Sequence, residues 1–228
     1  MKTGTRFVGL VPAAGVGSRM NADRPKQYLL VKQHPVLWHT VNALLADRRI
    51  EQVVVVIAPD DPWFDRFDWS GLPGMQVVRC GGASRAESVR NGLRYLANDY
   101  ASSDWVLVHD AARPCLGYDH LKSLMDTLHQ HDVGGILAVP VPDTVKQSRD
   151  GVLISATVPR ADLWLAQTPQ MFHLGMLSAA HAGDLSAITD EASAMEQAGF
   201  VPALVLGSRN NLKVTFPEDL QVVEALLT

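Results

Sequence analysis

Between Pro12 and Lys26 the chain places Ala13, Ala14, Gly15 and Gly17 within a few residues of two cations, Arg19 and Lys26. Residues with little or no side chain let successive backbone N–H groups approach a ligand, and positive charge beside them favours phosphate oxygens. The chemistry implied is the holding of a polyphosphate. A second stretch, Gly81-Gly82-Ala83-Ser84-Arg85-Ala86-Glu87-Ser88, again sets glycines ahead of a helix start. Ser84 with Glu87 three residues on has the form of a capping box, which predicts a second group of amides available to an anion. The third candidate is Asp110, which ends the apolar run Trp105 to His109 and precedes Arg113. A carboxylate is a hard oxygen ligand suited to Mg²⁺, which takes one or two of them together with substrate phosphates. The competing reading is that Asp110 caps a turn and pairs with Arg113. Strand alternation turns His109 to the opposite face, so it reads as structural.

Two familiar phosphate loops do not fit. After Gly15-Val16-Gly17-Ser18-Arg19 comes Met20, so the third glycine of a dinucleotide fingerprint is missing. Lys26 lies between Pro25 and Gln27, so the Gly-Lys-Ser/Thr ending of a Walker loop is missing too. Without the two cations the small residues would describe no more than a tight turn.

These residues need elements to carry them, and 228 residues can bury a substantial core. With 47% hydrophobic and 19% charged residues, the composition is that of a globular protein rather than a disordered one. A net charge of -4 supplies no basic footprint for nucleic acid. Cys80 and Cys115 are the only cysteines and form no Cys-x-x-Cys pair, which fits a reducing, cytoplasmic setting and two small buried side chains. Lys2, Arg6 and the following apolar stretch mimic a secretory signal weakly, but its removal would delete the loop above. No apolar run approaches the roughly 18 residues of a membrane span.

Periodicity predicts a strand at Phe7 to Val11, a helix over Pro35 to Asp47, a doubly buried strand at Val53 to Ala58, and a short helix at Asp60 to Phe67. Strands follow near Met75 to Arg79 and at Trp105 to His109, with a helix from Ser84 to Ala97 between them. A helix at Asp119 to His131 and a strand at Gly134 to Val139 complete the alternation. Beyond Gln167-Thr168-Pro169-Gln170 come helices at His173 to His181 and after Thr189, which is read as the cap. A strand at Ala203 to Leu206, an extended piece at Lys213 to Thr215 and a helix from Pro217 to Leu227 close the chain. The expected fold is α/β, a Rossmann-like three-layer sandwich on a mostly parallel sheet, in one domain over 1–228. Ligands in such sheets sit beyond the carboxyl ends of the strands, where Asp110 would share a side with the first loop. From Pro140 to Arg160 the pattern breaks into β-rich segments around Gly151, read as a projecting arm too small to bury itself. Such an arm needs a partner surface, and homodimerisation through 140–160 is the expectation.

Taken together, Pro12-Ala13-Ala14-Gly15-x-Gly17-x-Arg19-Met20 and Pro25-Lys26-Gln27-Tyr28 resemble the nucleotidyltransferases that join a nucleoside triphosphate to a phosphorylated acceptor. Gly81-Gly82-x-x-Arg85-x-x-Ser88-Val89, Val108-His109-Asp110-Ala111-Ala112-Arg113-Pro114, Asp143-Thr144-x-Lys146, Gln167-Thr168-Pro169-Gln170, Thr189-Asp190-Glu191-Ala192 and Asn211-x-Lys213-Val214-Thr215 extend the likeness over nearly the whole chain. Within that group the chain is similar to the 2-C-methyl-D-erythritol 4-phosphate cytidylyltransferase family. The resemblance implies transfer from CTP to 2-C-methyl-D-erythritol 4-phosphate with release of pyrophosphate, in Mg²⁺, by a cytoplasmic homodimer. It implies that Ala13, Ala14, Gly15, Gly82 and Ser88 hold the nucleotide and that Asp110 binds the metal. Arg19, Lys26 and Lys213 would be catalytic, and Arg113, Thr168, Thr189 and Lys213 would surround the acceptor. Thr144 and Arg160 would reach the partner subunit's site. Ala83 departs from the family, which often has an acidic residue there. The alternatives are another sugar-phosphate or sugar-acid nucleotidyltransferase, or a catalytically silent nucleotide-binding regulator.

Overall fold

The computed structural model describes residues 4–15 and 24–227. Its strands are β1 (Phe7–Pro12), β2 (Leu30–Val31), β3 (His34–Pro35), β4 (Ile50–Val56), β5 (Met75–Val78), β6 (Trp105–Val108), β7 (Gly134–Pro140), β8 (Val145–Gln147), β9 (Ala156–Val158), β10 (Trp164–His173) and β11 (Ala203–Leu206). The helices are α1 (Val36–Leu45), α2 (Arg85–Leu96), α3 (Tyr118–Leu128), α4 (Leu174–Ala180), α5 (Glu191–Gln197) and α6 (Asp219–Leu226). Seven strands form the main sheet in the order β11-β7-β10-β6-β1-β4-β5. All neighbours pair in parallel except β10, which is antiparallel to both β6 and β7.

Strand alternation divides the core in two. On one face, Val11, Val53, Val55 and Leu107 pack with Leu37, Val41 and Leu44 of α1 and with Leu121, Leu124 and Leu128 of α3. On the other, Val8, Leu10, Val54, Val56, Val106 and Val108 pack with Val89 and Leu93 of α2, Leu177 of α4 and Met195 of α5. The result is the expected three-layer α/β sandwich on a mostly parallel sheet. Strands buried on both faces read as unbroken β-branched runs, which is why β4 was legible. A smaller cluster joins Val31, Val36, Ala112, Val214 and Val223, seating α6 against the β2–β3 hairpin. No helix among the described residues is long and apolar enough to cross a membrane.

Three expectations change. The stretch around Gln167-Thr168-Pro169-Gln170, assigned to no strand from the sequence, is the middle of β10, inside the sheet. Proline cannot donate to a ladder and argues against a central strand; here the β10–β7 register shifts between Ala166 and Gln170, so the ladder is interrupted where Pro169 sits. The cap of α5 is Asp190 rather than Thr189: Asp190 Oδ1 accepts from Ser193 N, and Ser193 Oγ accepts from Asp190 N. Between Asp60 and Phe67 the helix shrinks to one 3₁₀ turn, Phe64–Arg66. The arm is a two-stranded ribbon of β8 and β9, outside the main sheet.

Candidate active site

Because β1, β4, β5 and β6 are parallel, the loops after them gather at one end of the sheet. There a cavity of about 570 Å³ is lined by Ala13, Ala14, Gly15, Lys26, Gly82, Ala83, Arg85, Ser88, Asp110 and Lys213, among others. A smaller one of about 140 Å³ is lined by Arg113, Thr168, Gln170, Thr189 and Asp190. Arg85, Asp110 and Lys213 border both. The antiparallel course of β10 explains why Thr168 is here: Gln170 pairs with Val108, so the N-terminal half of β10 continues past the carboxyl end of β6.

The first loop is held by its own backbone and by one buried amide. Ala13 N donates to Val56 O at 2.7 Å, and Gln27 Nε2 donates to Ala13 O at 2.8 Å and Gly15 O at 2.9 Å. The Ala13 amide is thereby committed to β4 rather than to the cavity. The turn carrying Lys26 is fixed by its neighbours, Gln27 and the buried Tyr28, whose hydroxyl donates to Asp61 Oδ2 at 2.9 Å. Lys26 Nζ donates to Val214 O at 2.8 Å. Arg19 lies outside the described residues.

The second glycine turn packs against the first loop so closely that a Cβ on Gly81 would stand 2.4 Å from Ala14 Cβ and 2.8 Å from Ile57 O. Its amides are less available than expected. Gly82 N donates to Ser88 Oγ at 3.1 Å, and Ala83 N donates to Glu87 Oε2 at 2.7 Å. Ser84 caps α2 by accepting from Glu87 N, but the Glu87 carboxylate reaches back one residue further than a capping box requires.

Asp110 is the hub. Its Oδ1 accepts from Arg85 Nε at 3.0 Å, and its Oδ2 lies 2.8 Å from Lys213 Nζ and 3.4 Å from Arg113 Nε. Burial acts to raise its pKa, but Arg85, Lys213 and Arg113 outweigh that and hold the carboxyl well below its ordinary range. The pairing with Arg113 that the competing reading called for is present, alongside two closer partners. Arg113 reaches on to Asn211 O through Nη1 at 2.6 Å, and buried Asn211 donates to Thr168 O at 2.8 Å. Val214 N donates to Ala112 O, which ties the segment carrying Lys213 to the loop carrying Asp110.

His109 is fully buried, as a structural residue should be, yet both its nitrogens touch the site. Nδ1 lies 2.9 Å from Thr168 Oγ1 and Nε2 lies 3.1 Å from Arg113 O. Thr168 Oγ1 accepts from Asp110 N at 3.0 Å, so its own proton is directed to His109 Nδ1, and the ring donates from Nε2 to Arg113 O. Burial pulls the His109 pKa down to about 4, against the opposing charge of Asp110.

Residue type and spacing assign Arg85 and Glu191 no role in the site, although each stands in a motif, Gly81-Gly82-x-x-Arg85 and Thr189-Asp190-Glu191. Arg85 meets the buried Glu191 through two bonds, Nη1 to Oε1 at 2.7 Å and Nη2 to Oε2 at 2.9 Å. Only the arginine's place just after a glycine turn could have signalled it. Thr144 and Arg160 stand exposed at the base of the arm and line neither cavity of their own chain.

The profile of the family described as IspD, 2-C-methyl-D-erythritol 4-phosphate cytidylyltransferase, matches residues 7–228. The chain belongs to that family. It is 56% identical over 224 residues to the 2-C-methyl-D-erythritol 4-phosphate cytidylyltransferase of Laribacter hongkongensis, covering 98% of this chain and 96% of the relative. The enzyme so named from Dechloromonas aromatica is 53% identical over 223 residues, covering 97% of each. Among solved structures, a 4-diphosphocytidyl-2C-methyl-D-erythritol synthase superposes with a TM-score of 0.87 at 41% identity, covering 100% of both chains. The family member from Francisella tularensis superposes with a TM-score of 0.82 at 34% identity, covering 98% of this chain and 100% of that one.

Proposed function

We propose that the chain transfers CMP from CTP to 2-C-methyl-D-erythritol 4-phosphate, giving 4-diphosphocytidyl-2-C-methyl-D-erythritol and pyrophosphate. The observation that carries this reading is the pair of cavities meeting at Arg85, Asp110 and Lys213: room for a nucleotide, room for a small phosphorylated acceptor, and charge at the junction. Ala13, Ala14, Gly15, Gly82 and Ser88 line the nucleotide side, where Ser88 braces Gly82. Arg113, Thr168, Thr189 and Lys213 line the acceptor side.

An oxygen of the acceptor phosphate attacks the α-phosphorus in line, the bond from that phosphorus to the bridging oxygen breaks, and pyrophosphate leaves opposite. A phosphate is already anionic near neutral pH, so no side chain has to remove a proton. Catalysis is positioning and charge neutralisation. Lys26 and Lys213, which line the same cavity, act on the developing charge, and the sequence motif gives Arg19 the same role. Asp110 is a hard oxygen donor held ionised in the cavity and would hold a divalent cation such as Mg²⁺ on giving up part of its pairing with Arg85 or Lys213, which take both its oxygens in this structure. Among the described residues no group of three His, Cys, Asp or Glu could hold a metal alone, so the ion would be shared with substrate phosphates. When bound, it offsets the charge of the triphosphate.

The arm completes the assembly. Its tip exposes Val152, Leu153 and Ile154, an apolar surface suited to a second copy of the chain, and Thr144 and Arg160 at its base would then serve the partner's acceptor side. The working protein in this reading is a cytoplasmic homodimer, each chain one domain. Pyrophosphate release from a panel of nucleoside triphosphates, with and without the acceptor, tests the reaction. Release only with CTP and 2-C-methyl-D-erythritol 4-phosphate is expected. Release only with another sugar phosphate overturns the acceptor, and CTP binding without release from any acceptor overturns the enzyme.

A further inference from the structure

Glu191 presents an electrostatic puzzle. It is fully buried beside a cavity read above as a polyphosphate site, where a second negative charge opposes binding. Buried ion pairs give little net stability compared with apolar residues of the same volume, so fold stability alone is a weak reason for it. Its contacts suggest another. Both its oxygens are taken by the terminal nitrogens of Arg85, one N–H from each, and the Nε–H of Arg85 donates to Asp110 Oδ1 at 3.0 Å. A guanidinium is planar, so fixing its two ends fixes the direction of the third donor.

Glu191 is itself anchored to the sheet. It is the first residue of α5, and Gln170 of β10 grips that helix start at two points: Nε2 donates to Asp190 Oδ2 and Oε1 accepts from Ala192 N, each at 2.8 Å. Gln170 pairs with Val108, two residues before Asp110. The chain of contacts thus leaves β6, passes through Gln170, α5, Glu191 and Arg85, and returns to the carboxylate just beyond the end of β6.

We propose that Glu191, acting through Arg85, is a positioning residue that holds the Asp110 carboxylate with Oδ1 toward Arg85 and Oδ2 toward Lys213. It also balances the charge of Arg85, keeping that cation on Asp110 instead of on a substrate phosphate. The inference rests on the reading of the cavities as a cytidylyltransferase site. Removing the charge of Glu191 therefore loosens Asp110 while releasing Arg85 toward phosphate: turnover falls and nucleotide binding does not weaken.

The test uses the full chain and three variants, Glu191→Gln, Arg85→Gln and the pair together, the last removing both charges while leaving polar groups in their place. Circular dichroism and thermal melting first establish that each is folded. Glu191→Gln is expected to lower kcat about tenfold to a hundredfold without raising the KM for CTP. Because both substitutions break one link, the double variant should be no slower than Arg85→Gln alone. A kcat within about twofold of the parent in folded Glu191→Gln, or losses that multiply in the double variant, overturns the proposal. A readout independent of turnover is the ¹⁵N signal of arginine Nε–H groups. Arg85 should give one protected from exchange with water, lost in Glu191→Gln; its persistence overturns the link. Should the parent transfer nothing from CTP, the functional reading fails, while the Nε–H signal still decides whether Glu191 holds Arg85.

Discussion

The end of the sheet around Asp110 and the arm at 140–160 handle exposure in opposite ways. At the hub, each charged group is matched by its own chain: Asp110 by Arg85, Lys213 and Arg113, and Glu191 by Arg85. On the arm, Val152 is 83% exposed and Leu153 70%, and the ribbon of β8 and β9 lies outside the main sheet. The difference is one of what the chain can complete alone. Directional polar contacts at the hub are built by the strand ends, loops and helix starts of one chain. An apolar surface on a two-stranded ribbon has no such frame and stays exposed on the single chain.

The comparison breaks most visibly at the hub. Lys26→Ala is expected to lower kcat by about a hundredfold to a thousandfold while leaving CTP affinity nearly unchanged, since its charge acts on the transition state. Steady-state kinetics beside direct CTP binding would show this, and a change confined to binding contradicts it. Asp110→Asn keeps the shape but leaves Arg85, Lys213 and Arg113 facing a neutral group. A loss of about a hundredfold in kcat and a much weaker dependence on divalent cation are expected in a metal titration.

Acid should act on the hub through His109. Its pKa is depressed in the folded chain, from 6.5 to about 4. The stability linked to its neutral form is complete above the unfolded value and is lost as pH falls through the window between the two. Roughly 3 kcal/mol should disappear over that interval. Urea unfolding at several pH values measures the slope, and His109→Gln, which cannot titrate, should flatten it. Asp110 contributes in the same sense at lower pH, because its folded pKa lies below the unfolded one.

The smallest effect on the single chain should come from the arm. Leu153→Asp with Ile154→Asp is expected to change chain stability by less than about 0.5 kcal/mol, as exposed substitutions do, yet to convert a dimer into monomers in sedimentation velocity. A parent that is already monomeric would end the comparison.

How far the sequence predicts these two regions follows from the range of the forces involved. Local patterns sufficed for β1, β4, β6 and the α-helices, though not for the 3₁₀ turn at Phe64–Arg66 or the Asp190 cap, because burial on both faces leaves unbroken apolar runs and amphipathic helices keep their period. β10 stayed hidden because Gln167, Pro169 and Gln170 carry no strand pattern, and its place depends on pairing with β6 and β7 far away in sequence. The same holds within the site. Ala13 to Gly15, Lys26 and Asp110 stand out by type and spacing, whereas Gln27, Arg85 and Glu191 matter through contacts that only folding creates. Glu191 and Asp110 are 81 residues apart by their numbering and are joined through one arginine.

Charge neutralisation around a single in-line displacement is the central claim, and stereochemistry at phosphorus tests it most directly. One diastereomer of CTP carrying sulfur on the α-phosphorus would be turned over with 2-C-methyl-D-erythritol 4-phosphate and the product's configuration assigned by ³¹P NMR. Inversion is the predicted result. Retention would mean two displacements through a covalent nucleotidyl intermediate, and would contradict a site that works by position and charge alone.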